Sequence, residues 1–148
     1  EFSQSAVEEV FSRLSLTPEV QPVRGLTRYQ GGGLTLYCGD FFALQAGDLG
    51  PVDAVYDRAA LVAVAPDRRQ DYADLLGAIT GYAPQLLIGF DYDQATMQGP
   101  PFSVPGRMIK DLYSARFEIE MLENTPVTGR MAERVDAQEE IWLLTPSA

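Results

Sequence analysis

The sequence predicts an α/β domain with a mainly parallel sheet and an antiparallel edge at its C-terminal end. Three observations carry this. Short apolar strand patterns alternate with helical periodicity through the middle of the chain, the signature of strand–helix–strand units. Residues 85–90 form a near-continuous apolar run, as in a strand covered on both faces. Two terminal strand patterns, residues 117–121 and 140–144, have no helix between them, which points to an antiparallel pair. At 148 residues and 46% hydrophobic, the chain reads as one domain, residues 1–148, with enough apolar mass for a core.

Each element follows from local pattern. Ala6, Val7, Val10, Phe11 and Leu14 recur at helical spacing, so residues 4–15 read as an amphipathic helix that Ser3 or Ser5 caps. Pro18 and Pro22 end it and begin a looser segment. Residues 26–29 and 34–38 flank Gln30-Gly31-Gly32-Gly33, a hairpin signal. A phosphate-cradling loop is the poorer reading of those glycines, since no Gly-Lys-Ser/Thr and no helix follow. Residues 52–56 form a second short strand. Pro66-Asp67 opens a helix that buries Tyr72, Leu75, Leu76 and Ile79 and stops at Gly81. Pro105 sits near the first turn of another, with Met108, Ile109, Leu112 and Tyr113 on one side. Residues 123–137 are polar and read as a long, mobile connection between the last two strands.

Composition removes whole classes of function. The net charge of −10 repels polyanions, so neither nucleic acid nor an anionic membrane is an expected partner. No apolar run approaches the roughly 20 residues of a membrane span. The single cysteine, Cys38, permits no intrachain disulfide and suits a reducing, cytoplasmic setting. Histidine is absent, which excludes Ser-His-Asp chemistry and histidine-ligated zinc. The chain opens on Glu1-Phe2-Ser3 rather than Met, and reads as the C-terminal portion of a longer protein.

Two stretches stand out as site candidates: Tyr37-Cys38-Gly39-Asp40-Phe41-Phe42-Ala43-Leu44 and Val52-Asp53-Ala54-Val55-Tyr56-Asp57-Arg58-Ala59-Ala60-Leu61. Each reads as a strand ending in polar residues, and open α/β sheets bind ligands at strand ends. Gly39, Asp40, Asp57 and Arg58 are therefore expected to line one crevice. Arg58 is able to clasp an anion with its guanidinium fork; a local ion pair with Asp57 is an equal alternative. Asp40 is able to meet an adenine edge, or simply to cap a helix beginning at Phe41. Glu1 is able to accept from ribose hydroxyls, though as a terminal residue it reads more simply as solvated. Asp91 and Asp93 resemble a carboxylate pair, but no third oxygen ligand is spaced nearby and no metal site is expected. Cys38 has no histidine partner and reads as an inert thiol. Phe102, carried by the rigid Gly99-Pro100-Pro101 loop, is the aromatic side chain expected to project into the crevice.

Taken together, these words resemble the thiopurine S-methyltransferase family, its bacterial branch above all. The matching words are Cys38-Gly39-Asp40-Phe41-Phe42-Ala43-Leu44, Tyr56-Asp57-Arg58-Ala59-Ala60-Leu61, Tyr92-Asp93-Gln94, Gly99-Pro100-Pro101-Phe102-Ser103-Val104-Pro105 and Glu139-Glu140-Ile141-Trp142-Leu143-Leu144, in order and at similar spacing over nearly the whole chain. The resemblance implies a Rossmann-like methyltransferase sheet that binds S-adenosyl-L-methionine at its strand ends. It implies that Glu1 binds the cofactor ribose, that Gly39 and Asp40 lie near the adenine, and that Arg58 lies near both cofactor and acceptor sulfur. It places Pro100 and Phe102 beside the acceptor and makes Arg130 the candidate for a second acceptor-side arginine. The family's first strand and glycine-rich cofactor loop lie upstream of the position Glu1 matches, so the isolated 148-residue chain is expected to be inactive and weakly stable.

The expected reaction is methyl transfer to the sulfur of an aromatic or heterocyclic thiol, or to a selenol; some bacterial relatives are linked with tolerance to tellurium and selenium oxyanions. The parent protein is expected to be monomeric. A sulfonium donor is already strongly electrophilic, which agrees with the absence of histidine. The alternative is a catalytically inactive remnant that keeps the fold and acts only as a binding module.

Overall fold

A computed structural model describes residues 1–147. The protein is mixed α/β, and its packing concentrates in two compact units, Glu1–Asp48 and Leu49–Ala148.

The first unit places one helix, α1 (Gln4–Arg13), on a three-stranded antiparallel sheet of β1 (Glu19–Val23), β2 (Leu26–Gly31) and β3 (Leu34–Cys38), in the order β1-β2-β3. Ser3 caps α1 through its hydroxyl, which accepts from the Ala6 N–H at 3.3 Å. Val7 and Phe11 form the buried stripe and pack with Tyr29, Leu34, Leu36 and Cys38; the Phe11 and Tyr29 rings stack with centroids 6.4 Å apart. The proline-containing segment read as loose is a strand. β1 is an edge, where the missing N–H of Pro22 removes no ladder bond that the sheet needs. A short helix, α2 (Ala46–Leu49), follows a 3-10 turn at Phe41–Ala43.

The second unit holds a four-stranded sheet of β4 (Val55–Arg58), β5 (Gln85–Tyr92), β6 (Phe117–Pro126) and β7 (Ala137–Pro146), in the order β4-β5-β7-β6. β4 and β5 pair in parallel across the connection that holds α3 (Arg69–Thr80), while β5–β7 and β6–β7 are antiparallel, so β7 alone runs against β4, β5 and β6. The sheet is thus mixed: three of its four strands share one direction, and the opposing strand, β7, lies between β5 and β6. β3 and β4, expected in one sheet, belong to different ones.

Helices α3 and α4 (Gly106–Tyr113) serve one face of this sheet. The buried positions Asp57, Leu87, Gly89, Glu140, Trp142 and Leu144 share that face through the strand registers. β5 alternates buried and half-buried residues up to Phe90, so the apolar run is fully covered on one side only. Gly81 closes α3 in the left-handed conformation, φ +63°, donating to the Gly77 carbonyl. The stretch read as a long connection is ladder at its start: pairing persists to Pro126 and Gln138, past a bulge between Met121 and Glu123, and residues 127–136 make the connection through a turn at Gly129–Met131. Its β6 residues are exposed on an edge strand, so they lack the apolar alternation that signals a strand.

Gly106 starts α4 directly beneath Trp142. A β-carbon there would lie 2.6 Å from the Trp142 Cζ2, closer than a packed indole yields to. Gly106→Ala is expected to lower unfolding stability by about 1–3 kcal/mol, measured by urea titration, and to shift the emission of Trp142, the only tryptophan.

Candidate functional site

β4 ends in two residues with opposite fates. Asp57 is 2% exposed and turns toward α3. Its Oδ1 accepts from the Leu61 N–H at 3.1 Å and its Oδ2 from the Tyr72 hydroxyl at 2.8 Å. Burial pushes the Asp57 carboxyl above its ordinary range, and both hydrogen bonds pull the other way. Burial also raises Tyr72, with the Asp57 charge adding to the shift. Arg58, the next residue, faces the opposite side of the strand. It is exposed and makes no ion pair among the described residues. Alternation therefore rules out the local Asp57–Arg58 pair, and it removes Asp57 from the expected crevice: this carboxylate ties β4 to α3.

The turn Leu61–Ala63 that Asp57 anchors also anchors the loop holding Phe102, whose N–H donates to the Val62 carbonyl at 2.7 Å. The loop is knitted to the end of β5. Tyr92 donates its hydroxyl to the Pro101 carbonyl at 2.6 Å, Ser103 Oγ accepts from the Tyr92 N–H at 3.1 Å, and Gln94 accepts from the Ser103 N–H at 2.9 Å while donating to the Met97 carbonyl at 2.6 Å. These bonds give the Tyr92-Asp93-Gln94 word its structural sense. Asp93 itself caps a turn, accepting from the Ala95 N–H at 3.0 Å.

Pro100 lines a cleft of about 360 Å³ with Thr96, Met97, Gln98, Gly99 and Arg134. The arginine that shares this cleft is Arg134; Arg130 lies on an exposed turn, Gly129–Met131. Phe102 is half-buried, with the Arg69 guanidinium carbon 5.6 Å from its ring centroid.

In the first unit, Glu1, Gly39 and Asp40 come together. With Leu26, Tyr37, Phe41 and Leu44 they line a cavity of about 40 Å³. Gly39 donates its N–H to the Glu1 carbonyl at 2.8 Å. At φ +138°, and with Leu26 Cδ2 only 2.7 Å from where a β-carbon would sit, residue 39 has room for glycine alone. Glu1 Oε1 accepts from the Ser3 N–H at 2.8 Å, and that bond holds its carboxyl below the ordinary range. Asp40 does cap the following 3-10 turn, accepting from the Phe42 N–H at 3.0 Å through Oδ1.

Sequence reasoning passed over Arg69 and Arg134. Arg69 had a signal: it shares the helical phase of Tyr72, Ala73, Leu76 and Thr80, all buried. Arg134 had none, because its place depends on how the β6–β7 connection folds. No cluster able to hold a metal ion occurs among the described residues.

The family model described as Thiopurine S-methyltransferase (TPMT) matches residues 1–145. Among curated relatives, the thiopurine S-methyltransferase of Xanthobacter autotrophicus is 47% identical over 97% of this chain and 68% of its own length. That of Teredinibacter turnerae is 39% identical over 98% of this chain and 68% of its own length. That of Pseudomonas paraeruginosa is 45% identical over 87% and 60%. The chain thus spans about two thirds of the length of such relatives.

Tyr72→Phe leaves Asp57 Oδ2 without its donor and is expected to cost about 1–3 kcal/mol in a urea titration. The pH dependence has a definite sign. A carboxyl raised on folding binds its proton more tightly folded than unfolded, so its favourable contribution is present at low pH and is lost as pH rises through the raised value. Asp57→Asn is expected to flatten that limb of the stability–pH curve; an unchanged limb would show that another group causes it.

Proposed function

The chain belongs to the thiopurine S-methyltransferase family, and we propose that it contributes an S-methyltransferase site with S-adenosyl-L-methionine as donor and an aromatic or heterocyclic thiol as acceptor. The observation that carries the reading is Arg58: an exposed guanidinium at the end of a sheet strand, with no carboxylate partner among the described residues. The match of the family model over residues 1–145 supports it.

The residues of the first unit suit the cofactor chemically. Carboxylates at Glu1 and Asp40 accept hydrogen bonds from ribose hydroxyls or an adenine amino group, Leu26, Phe41 and Leu44 offer apolar walls, and Gly39 lets the backbone approach. The cavity's 40 Å³ is near the roughly 30 Å³ that one water occupies in the liquid, so these residues grip an edge of the ligand rather than enclose it. When bound, S-adenosyl-L-methionine supplies a sulfonium-activated methyl group.

The second unit's residues act on the acceptor. A thiol attacks as its anion, and Arg58 favours the thiolate by charge pairing. Aromatic thiols ionise readily, so no strong base is required, in keeping with a chain that has no histidine. Pro100 and Phe102 flank the acceptor ring, and an arginine of the β6–β7 connection, Arg130 or Arg134, supplies further positive charge. A softer selenolate fits the same ion pairing. The setting proposed is the cytoplasm; no helix among the described residues is long and apolar enough to cross a membrane.

Arg58→Ala in the full-length protein is expected to reduce kcat/KM for an aromatic thiol by about 10- to 100-fold, the loss of a charge-assisted contact of about 1.5–3 kcal/mol. The Kd for S-adenosylhomocysteine by calorimetry should change much less; equal kinetics for both proteins would remove Arg58 from the mechanism. Titration of S-adenosylhomocysteine into this chain and into a longer form separates the enzyme from an inactive remnant, for which neither form binds.

A further inference from the structure

Arg69 has no part in the reaction above, yet it is a charge buried at a cost. The residue is 3% exposed. Its Nε donates to the Val64 carbonyl at 3.2 Å, and its Nη1 lies 2.8 Å from the Met108 sulfur, a weak acceptor. Its Nη2 is buried without a hydrogen-bond partner, and no carboxylate pairs with it among the described residues. Burial accordingly pushes its pKa down. An apolar side chain of similar length would fill this space without an unmet donor, so stability alone does not call for arginine here. What an apolar side chain lacks is the contact with the face of Phe102, where a desolvated cation is held by the ring's electrons.

Phe102 is pinned from other directions too. Its N–H is fixed by the Val62 carbonyl, and the backbone of Gly99 lies so close that a β-carbon would come within 2.5 Å of the ring. Those contacts and the guanidinium over its face hold the ring and its backbone together. We propose that Arg69 is a positioning residue, holding the Phe102 ring in the orientation against which an aromatic acceptor stacks. This rests on the acceptor-side role given to Phe102 above. It makes Arg69 a determinant of selectivity for aromatic over aliphatic thiols.

The test compares Arg69→Met, which keeps length and loses the charge, and Arg69→Lys, which keeps charge and loses the planar fork, in the full-length protein. Arg69→Met is expected to unfold at or above the wild-type urea midpoint while the Phe102 amide exchanges faster with deuterium. KM for an aromatic thiol should rise about tenfold, with kcat, the S-adenosylhomocysteine Kd and KM for a small aliphatic thiol within about twofold. Arg69→Lys should recover part of the aromatic KM, and it carries the comparison alone if Arg69→Met does not fold. An unchanged aromatic KM in a folded variant overturns the proposal; so does a parallel loss of kcat, cofactor affinity and stability, which marks a merely structural residue. The exchange readout is independent of catalysis. If the wild-type protein methylates no aromatic thiol, the functional reading falls, while faster exchange at Phe102 still shows that Arg69 holds the ring.

Discussion

The buried carboxylate of Asp57 is the constraint on which the second unit's site depends. It is the last inward-facing residue of β4, and its two oxygens are divided between the Leu61 N–H and the Tyr72 hydroxyl. One bond folds the chain back into the turn that receives Phe102; the other ties the end of β4 to the first half of α3. Two good donors make an ionised carboxylate tolerable in a place where burial disfavours it. Loosening this group would release the end of β4, the Phe102 loop and the start of α3 together.

Strand alternation converts that structural role into a chemical one. With Asp57 committed inward, Arg58 must project from the opposite face, away from the Asp57 carboxylate. A guanidinium left without a partner at the mouth of a sheet is available to an anionic acceptor. Arg69 is the complementary case: it is buried, stacked on an aromatic ring and one hydrogen bond short. In the proposed reading one arginine offers its charge to a ligand, and the other sets its charge against the ring of Phe102.

Much of this was legible in the residues themselves. Helices α1, α3 and α4, the β2–β3 hairpin, the parallel β4–β5 unit and the closing antiparallel pair all follow from period and punctuation. Edge strands were harder. β1 carries a proline and β6 exposes every side chain over residues 122–126, so neither β1 nor that half of β6 shows the apolar alternation that marks a half-buried strand. The assignment of β3 and β4 to one sheet failed because short strands of similar character do not encode their partners, which long-range pairing decides. At the candidate site, Glu1, Gly39 and Asp40, joined in the sequence only by the family resemblance, line one cavity, while the inward turn of Asp57 required knowing that Tyr72 lay opposite. The nearness of Arg134 to Pro100 is a property of the folded connection, invisible in spacing.

The claim that the exposed Arg58 steadies a sulfur anion is tested most directly by the ionisation of the bound acceptor. The ultraviolet spectrum of an aromatic thiol reports its thiolate fraction, and titrating it against pH on the full-length protein, saturated with S-adenosylhomocysteine, gives the bound pKa. The account predicts a bound pKa well below that of the free thiol, returning toward the free value when position 58 is neutral. A bound pKa equal to or above the free one would contradict it, since desolvation alone moves a thiol upward.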